Sequence, residues 1–547
     1  MSSSTFRVLF NQTKLFNTEF LKNKLSLEQF ESLDDKLLCL AYKKWGNLLT
    51  SNLDGEFAVV IYDSEKKHYF CARDPLGVKS LYFTKINGEY KFSSNIDELL
   101  NFPHVLKKPN LKSMRTMLYH RTVDYTATMY EGVYRLPPGH SMIIENGKEQ
   151  IERYWYPEKI KIDYSLTEDE AAKKLTELFS KAVNNRVDNL EETAFEVSGG
   201  LDSSSVVSLL GQSIIPSKID SYSMDFKGLK CDEGIYVDSI LKKYPLHHQK
   251  ISTGELDYLQ AYSLDRLYTM SPNWPITLTF AMALPMLKKM KQDGKKIVIT
   301  GQGGDHLFTG TRYVLYDLLR RFKFFTLYKE LKVYSKPWGM IKAYIMRPLL
   351  GKKLIGFIKI LLGRKDTNPF FLEDNDIKDL SQSLRITNPI YKNDLDMITS
   401  TAYSMIMDGN FFHAAEDYFG IEYRHPYFDL ELVEFALSLP PEMKYKQRTI
   451  KWILRKAMDG ILPDKIRDRK DKAEFSELIM QQIDAIDLGA LLEEPYIVKL
   501  GLIEQSLIDQ YRKEYEDKTI KYIVILWTII NMEYWYRYNF EEASLKH

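Results

Sequence analysis

The first 154 residues alternate short apolar or aromatic runs with turn-forming residues. Residues 57–62 and 68–71 are such runs, bounded by Asp, Gly and Lys, and this pattern is typical of β-strands. Asn87-Gly88 is one of the turn signals between runs, and residues 34–45 have the spacing of a helix. The pattern predicts an α+β module in which a sheet is layered with helices, followed by a linker at 154–164.

From residue 168 the period of the apolar positions changes, and strands alternate with helices. Helical stretches lie at 168–187, 205–210, 233–244 and 276–291, and strand-like runs lie at 193–197, 219–224 and 296–300. Such alternation predicts a parallel sheet with helices on both faces, and ligands bind at the carboxyl ends of its strands. Val197 and Thr300 are two such ends. Beyond residue 388 the pattern is helical.

Residues 312–365 form a basic and aromatic stretch with a helical pattern. Asp317 and Glu330 are its only acids, whereas Lys and Arg are interleaved with Phe, Tyr, Leu and Ile. A basic amphipathic stretch can bind a membrane surface, an acidic partner or a peptide. Helices with solvated Lys faces are the more frequent case, and we take them as the default.

Composition narrows the class of protein. A chain of 547 residues has room for two or more domains, and a net charge of +1 gives no general attraction to nucleic acid. Its three cysteines lie far apart in sequence, which fits a reduced, cytoplasmic protein without paired-cysteine metal sites. The most apolar run, 523–530, is well short of the roughly 20 residues that span a bilayer, so it predicts a buried helix and no membrane span.

A glycine-rich turn with the sequence Ser-Gly-Gly-Leu-Asp-Ser-Ser occupies residues 198–204, between a strand and a helix. Gly199 and Gly200 let the backbone approach a ligand closely, and the helix N-terminus offers N–H groups to an anion. Asp202 can hold a divalent cation against phosphates. A turn that merely caps a helix is the alternative, but glycines, hydroxyls and an acid at one helix start favour a phosphate site.

A second glycine-rich loop, Gly-Gln-Gly-Gly-Asp-His at residues 301–306, follows the strand that ends at Thr300. Its Asp305 could share one Mg²⁺ with Asp202, because nucleotide-bound Mg²⁺ takes one or two carboxylates besides phosphate oxygens. An N-capping Asp in a glycine-rich connection is the alternative. Two such loops in one alternating domain favour a nucleotide site.

The turn at 198–204 resembles the pyrophosphate loop of the asparagine synthetase family. Residues 53–63 and 72–79 resemble the N-terminal glutaminase-type domain of that family, and residues 420–429 and 451–457 resemble its synthetase domain. The similarity covers nearly the whole chain. It implies a degenerate glutaminase-like (Ntn-type) α+β sandwich domain at 1–157. It also implies an α/β ATP-pyrophosphatase domain at 165–547, with a parallel sheet and a helical C-terminal part.

The resemblance implies that a carboxylate reacts with ATP to give an acyl-adenylate and pyrophosphate, and that an amine then displaces AMP. Pyrophosphate would be bound by Ser198, Gly199, Gly200, Asp202, Ser203 and Ser204. The AMP site would be lined by Val197, Met224, Thr300 and Gly301, and Mg²⁺ would be held by Asp202 and Asp305. Asp305 would also be catalytic, together with Lys472, for which Lys470 is a close rival.

Two departures from the family pattern bear on the source of the amine. A glutamine-hydrolysing member needs a cysteine directly after the initiator methionine, whereas residue 2 is Ser here and the first cysteine is Cys39. Residues 6–17 resemble a segment well inside the family's first domain. We therefore expect no glutaminase activity, and a first domain kept for folding or partner contact.

The second departure lies in the loop at 301–306. Asparagine synthetases carry Gly-Glu-Gly-x-Asp-Glu there, whereas this chain has Gln302 and His306 in place of the two Glu residues. A loop of this kind beside a degenerate first domain is similar to lasso-peptide cyclases. These join an Asp or Glu side chain to the N-terminal amine of a ribosomal peptide, forming a macrolactam (isopeptide) ring. The implied partners are the precursor peptide, a leader-peptide protease and a leader-recognition protein.

Two other functions remain open from the sequence. An ammonia- or glutamine-dependent asparagine synthetase, or another small-molecule amide or β-lactam synthetase, would use the same adenylation chemistry. A nucleotide-binding scaffold without catalysis is disfavoured by the intact Asp202 and Asp305. Glu416, Asp417 and His306 are candidates for the general base, and no spacing selects among them.

Overall fold

A computed structural model of the chain describes residues 5–26, 35–118, 126–252, 264–271, 273–275, 280–350, 412, 415–471, 473, 475–519 and 523–541. Among the described residues, the first part has the strands β1 (Phe6–Leu15), β2 (Gly55–Asp63), β3 (His68–Arg73), β4 (Tyr82–Ile86), β5 (Glu89–Ser93), β6 (Val133–Arg135), β7 (His140–Glu145) and β8 (Lys148–Arg153). Its helices are α1 (Thr18–Leu25), α2 (Asp35–Trp45), α3 (Ile96–Leu100) and α4 (Leu111–Leu118).

The first part is a sandwich of two antiparallel sheets, with α1 and α2 packed on one sheet and α3 packed on the other. One sheet has the order β1-β2-β3-β7-β8 and the other has the order β5-β4-β6. Side chains alternate along β2, so that Val59 and Ile61 face a core with helix α2 while Ala58 and Val60 face the core between the sheets. The predicted layered α+β module is confirmed.

The second part contains a five-stranded parallel sheet in the order β11-β10-β9-β12-β13. Its strands are β9 (Thr193–Glu196), β10 (Asp220–Asp225), β11 (His247–Ser252), β12 (Ile297–Ile299) and β13 (Glu422–Arg424). Neighbouring residues of β9 face different cores, since Ala194 and Phe195 belong to the two large clusters on opposite sides of the sheet. The predicted parallel sheet, covered on both faces, is confirmed.

Helices surround this sheet and fill the C-terminal part. Those up to residue 341 are α5 (Glu168–Asn184), α6 (Leu201–Ser213), α7 (Gly234–Lys243), α8 (Leu264–Met270), α9 (Phe280–Gln292), α10 (Gly304–Phe308), α11 (Val314–Arg320), α12 (Phe324–Lys332) and α13 (Pro337–Ile341). The others are α14 (Leu430–Ser438), α15 (Pro441–Lys444), α16 (Trp452–Ala457), α17 (Asp464–Arg467), α18 (Ser476–Asp484), α19 (Leu488–Leu492), α20 (Tyr496–Lys499), α21 (Gln505–Glu516) and α22 (Ile523–Tyr536). Between α15 and α16 lies the hairpin of β14 (Tyr445–Lys446) and β15 (Thr449–Ile450).

The sequence pattern missed two of the five parallel strands. Strand β11 lies at one edge of the sheet and has the polar sequence His-His-Gln-Lys-Ile-Ser, so its apolar signal is weak. Strand β13 has three residues and lies in a region that the pattern assigns to helices, so that assignment is wrong at this point. The apolar run at 523–530 is part of the buried helix α22, as predicted. Within the described ranges, no helix combines the length and apolarity needed to cross a membrane.

A buried ion-pair cluster joins the two parts of the chain. Arg186 is fully buried, and its guanidinium lies 2.8 Å from the Glu56 carboxylate of β2 and 3.2 Å from the Asp429 carboxylate that caps α14. Removing one partner of a buried pair leaves an uncompensated charge in the interior. Arg186 therefore fixes the first sheet against the parallel-sheet part.

We expect Arg186→Met to destabilise the protein by about 3–5 kcal/mol, measured as a shift of the urea unfolding transition. The matched control is Lys181→Met, whose salt bridge with Glu431 is half exposed on both sides. That change should cost at most about 1 kcal/mol. Equal effects of the two substitutions would contradict the structural role of Arg186.

Candidate active site

The loop at 198–204 connects the end of β9 to the start of α6. Val197 is buried and its N–H donates to the Tyr222 carbonyl at 2.8 Å, which ties the loop to β10. Gly199 has φ +72°, and an added Cβ would lie 2.8 Å from the Tyr236 Cβ, so only glycine fits there. Gly200 caps α6, leaving N–H groups of the first turn facing the loop. The predicted strand, glycine turn and helix start are confirmed.

The serines of this loop have different environments. Ser203 Oγ accepts from the Ser198 N–H at 3.1 Å and lies 3.0 Å from Ser198 Oγ, so these hydroxyls form one polar group on the loop. Ser204 is completely buried, and its hydroxyl has no hydrogen-bond partner among the residues that the structure describes. Of the three serines, only Ser198 is exposed, and Ser203 and Ser204 are buried.

The second glycine loop packs directly on the first. A Cβ added to Gly301 would lie 2.4 Å from the Ser203 nitrogen, and one added to Gly304 would lie 2.4 Å from the Asp202 carboxyl carbon. Neither position has room for a larger residue. The two loops, predicted from separate motifs, therefore form one site at the carboxyl edge of the sheet.

Lys451 holds the two predicted metal-binding acids together. Its ammonium lies 2.5 Å from Asp202 Oδ2 and 2.8 Å from Asp305 Oδ1, and the residue is only 6% exposed. Burial disfavours the charge, but Asp202 and Asp305 outweigh it and raise the Lys451 pKa. The site therefore contains two carboxylates and one permanent cation.

The hairpin before α16 positions this lysine. Gln447 and Arg448 form its two-residue turn with φ +48° and +65°, as tight hairpins require. Lys451 itself has φ +56° at the N-cap of α16, a left-handed conformation that is uncommon outside glycine. This backbone directs the side chain inward. Sequence reasoning gave Lys451 no role, although it begins the 451–457 block.

A basic tract at residues 467–472, of which the structure describes 467–471, reaches the first glycine loop. Arg469 pairs with Glu233, lies 3.4 Å from the Gly199 carbonyl oxygen, and stacks 3.9 Å from the ring centre of Tyr236. Lys470 follows it and is exposed. Lys472 lies outside the described residues, so the choice between Lys472 and Lys470 stays a prediction. The anchoring of Arg469 brings the tract to the predicted phosphate loop.

A polar group lies beside the loops, on the face of the sheet that carries Ala194 and Tyr222. Tyr423 donates a hydrogen bond to the Glu196 carboxylate at 3.2 Å. Glu196 keeps partial solvent access, yet desolvation raises its pKa to about 7, even though the Tyr423 bond opposes the shift. A carboxyl with this pKa can exchange a proton near neutral pH. Sequence reasoning missed Glu196.

Two predicted AMP-site residues lie at the same edge. Thr300 Oγ1 is 2.8 Å from His425 Nδ1, and burial lowers the pKa of His425 to about 3, which keeps that ring neutral. Met224 is partly buried near the end of β10. The structure thus places Val197, Met224, Thr300 and Gly301 along the carboxyl edge, where α/β sheets bind ligands.

The candidate bases from the sequence lie in two places. Glu416 and Asp417 are on the turn Ala415–Phe419, which precedes β13 and so lies at the amino side of the sheet. Asp417 accepts a hydrogen bond from the Asn95 side chain at 2.8 Å, which links it to the first part of the chain. His306 lies in α10, directly after Asp305. Of the three, only His306 shares the carboxyl edge with the glycine loops.

Comparison with known families agrees with this geometry. The profile described as Asparagine synthase matches residues 174–537, and the profile described as Glutamine amidotransferase domain matches residues 1–155. The chain belongs to the asparagine synthase family.

Relatives of this family member carry different names. A putative glutamine-hydrolysing asparagine synthetase 2 of Methanocaldococcus jannaschii is 28% identical over 54% of this chain and 57% of its own length. Glutamine-hydrolysing asparagine synthetase 3 of Bacillus subtilis is 24% identical over 85% of this chain and 75% of its own. Amidase chry2 of Gibberella zeae is 29% identical over 56% of this chain and 47% of its own. The chain spans about half the length of the first and third of these relatives. The names of the three relatives do not identify one substrate.

We expect Gly304→Ala to lower ATP-dependent pyrophosphate formation by about 10²-fold, the loss typical of a misplacement of ~1 Å in an active site. The added methyl group would displace the Asp202 carboxylate. Gly339→Ala is the matched control, because no atom lies within 4 Å of its added Cβ. A Gly304→Ala protein with unchanged turnover would contradict the packing of the two loops.

Proposed function

We propose that this protein is an AMP-forming amide ligase that activates a side-chain carboxylate of a peptide and joins it to the peptide's own N-terminal amine. The observation that carries the proposal is the assembled Asp202–Lys451–Asp305 site, next to a first domain whose cysteines are held as thiols.

The nucleotide chemistry rests on the two glycine loops. An oxygen of the substrate carboxylate attacks the α-phosphorus of ATP, and the bond to the β-phosphate breaks to release pyrophosphate. Backbone N–H groups at the start of α6 and the neighbouring hydroxyls of Ser198 and Ser203 would bind the pyrophosphate anion. The Lys451 ammonium supports the developing negative charge on the leaving group.

Mg²⁺ is the divalent ion that fits this donor set. The carboxylates of Asp202 and Asp305 both contact the Lys451 ammonium, so they lie close to each other. Two carboxylates this close could share one metal ion with phosphate oxygens. Gly304 has no Cβ where the Asp202 carboxylate lies, which keeps room for this convergence. When bound, Mg²⁺ would neutralise phosphate charge. The described residues contain no cluster of three or more metal-binding side chains, so phosphate oxygens would complete the coordination.

The amine must then attack the acyl carbon, expel AMP and lose a proton. Glu196 is the carboxylate at the carboxyl edge with a pKa near neutrality, so we assign it the role of proton acceptor. Its bond to Tyr423 fixes the orientation of the carboxylate. Glu416 and Asp417, at the amino side of β13, are less well placed for this step.

The source of the amine is the basis for proposing a peptide substrate. Burial raises the pKa of both first-domain cysteines, Cys39 and Cys71, so neither supplies the thiolate that glutamine hydrolysis needs. A tethered amine requires no ammonia, because attachment to the substrate raises its effective concentration at the adenylate. Gln302 and His306, which replace family carboxylates, fit a nucleophile other than ammonia.

Pyrophosphate release tests this function. Peptides with a free N-terminus and an Asp or Glu several residues later should release pyrophosphate and lose one water in mass, whereas N-acetylated copies should not cyclise. Release with free aspartate plus ammonia, and none with any peptide, would overturn the peptide assignment. That outcome would instead support an ammonia-dependent asparagine synthetase; two relatives are named as asparagine synthetases, both of the glutamine-hydrolysing kind.

A further inference from the structure

Residues 320–350, which we call the basic–aromatic surface, expose a cluster of large aromatic side chains. Phe322, Phe325 and Trp338 are 77%, 71% and 70% exposed. Phe324, Tyr328 and Leu349 are also exposed there. Single exposed apolar residues are normal, but a cluster of this size marks an interaction surface. Nothing in the adenylation site uses it.

Every exposed charge on this surface is positive. The exposed cations are Arg320, Lys323, Lys329, Lys332, Lys336, Lys342 and Arg347. The single acid in the range, Glu330, is buried and accepts a hydrogen bond from the Gln447 N–H at 2.7 Å. The charge pattern therefore suits an anionic binding partner.

The exposed aromatics are not core residues. Leu327 and Ile345, from the inward faces of the same segments, pack with Val314, Leu315 and Leu318 in a separate small core. The aromatics project from the opposite side, and the Lys329 ammonium lies 4.3 Å from the ring centre of Phe325. Helices that lie in a membrane interface have this composition, with Lys and Arg next to projecting Phe and Trp.

We propose that the basic–aromatic surface docks on the surface of an anionic phospholipid bilayer. The exposed charges are all positive and so complement acidic headgroups. The rings that are exposed by 70% or more project outward, which suits insertion into a bilayer interface better than the lining of a protein-binding groove. Each basic residue near such a surface strengthens attachment by about fivefold. The aromatic side chains add apolar burial.

The surface adjoins the active site through the β14–β15 hairpin. Glu330 holds the turn residue Gln447, and the same hairpin ends one residue before Lys451. Tyr334 also contacts Tyr445, with their hydroxyls 2.7 Å apart. Docking would therefore bring the adenylation site close to the bilayer, whichever carboxylate is activated.

Vesicle co-sedimentation of the full chain tests this docking. We expect binding to vesicles of equal parts phosphatidylglycerol and phosphatidylcholine, no binding to phosphatidylcholine alone, and release by high salt. The combined change Phe322→Ser, Phe325→Ser and Trp338→Ser should weaken binding at least about tenfold. The combined change Lys323→Glu, Lys329→Glu and Lys332→Glu should weaken vesicle binding by at least about the same factor.

Matched controls change equally exposed residues elsewhere. Leu48→Ser, Leu106→Ser and Ile215→Ser serve for the aromatics, and Lys66→Glu, Lys148→Glu and Lys218→Glu serve for the charges. These controls should bind vesicles as the unmodified chain does. The proposal is overturned if the unmodified chain binds neither kind of vesicle, or if it binds phosphatidylcholine vesicles as strongly as anionic ones. It is equally overturned if the surface variants and the control variants bind anionic vesicles to the same extent. It is also overturned if the surface variants abolish only self-association, which would assign the surface to a second copy.

Discussion

Lys451→Met is expected to reduce ATP-dependent pyrophosphate formation by about 10²- to 10³-fold, the usual loss when one preorganised charge-stabilising group is removed. The substitution removes the ammonium that lies between Asp202 and Asp305 and supports the negative charge on the leaving pyrophosphate. The measurement is continuous pyrophosphate release at saturating ATP, with a parallel check by circular dichroism that the chain is folded. Lys451→Arg should keep part of the activity, since it keeps the charge.

Lys456→Met is the matched control for Lys451. It removes the same side chain one turn later in α16, but Lys456 is on the outside of the fold, where it pairs with the largely exposed Asp169 at 2.8 Å. Pyrophosphate formation by this variant should be unchanged. Wild-type turnover by Lys451→Met, or an equal loss in both variants, would contradict the assignment of Lys451 to the phosphate site.

Glu196→Gln is expected to slow amide formation by about 10²- to 10⁴-fold while adenylation, followed as pyrophosphate–ATP exchange, continues. Below its pKa of about 7 the Glu196 carboxyl already carries a proton and cannot accept another. The rate of amide formation by the unmodified chain should therefore rise with pH through about 7, and this rise should be absent in the variant.

Hydroxylamine separates a proton-accepting role from a structural one. It attacks acyl-adenylates without needing a base, so Glu196→Gln should form hydroxamate at the normal rate. Glu192→Gln is the matched control on the same chain segment, because Glu192 pairs with Lys296 on the surface just before β9. A variant that loses hydroxamate and amide formation together would contradict a base role for Glu196.

The glycine loops could be predicted from sequence because their function depends on local geometry. A strand, the glycine turn at 198–204 and a helix start follow one another in sequence. The motif can therefore be recognised without knowing the rest of the fold. That the two loops lie at one edge followed from the general rule for parallel strands, whereas the contacts of Gly301 with Ser203 and of Gly304 with Asp202 are seen only in the structure. The short strand β13 had too few residues to give a periodic signal.

Lys451 and Glu196 could not be assigned in the same way. The contact of Lys451 with Asp202 spans 249 residues and depends on the left-handed conformation of two hairpin residues and of Lys451 itself, which the periodicity of the sequence does not predict. Glu196 was visible as a lone acid in an apolar strand, two residues before the glycine turn. Its partner Tyr423 belongs to β13, which the pattern did not predict.

Isotope transfer from the carboxylate distinguishes adenylation of the substrate from its phosphorylation. A substrate that supports turnover is labelled in its side-chain carboxylate with a heavy oxygen isotope, and the products are analysed by phosphorus NMR and mass spectrometry. We expect one labelled oxygen in AMP and unlabelled pyrophosphate. Labelled inorganic phosphate formed together with ADP would contradict adenylation at the Asp202–Lys451–Asp305 site.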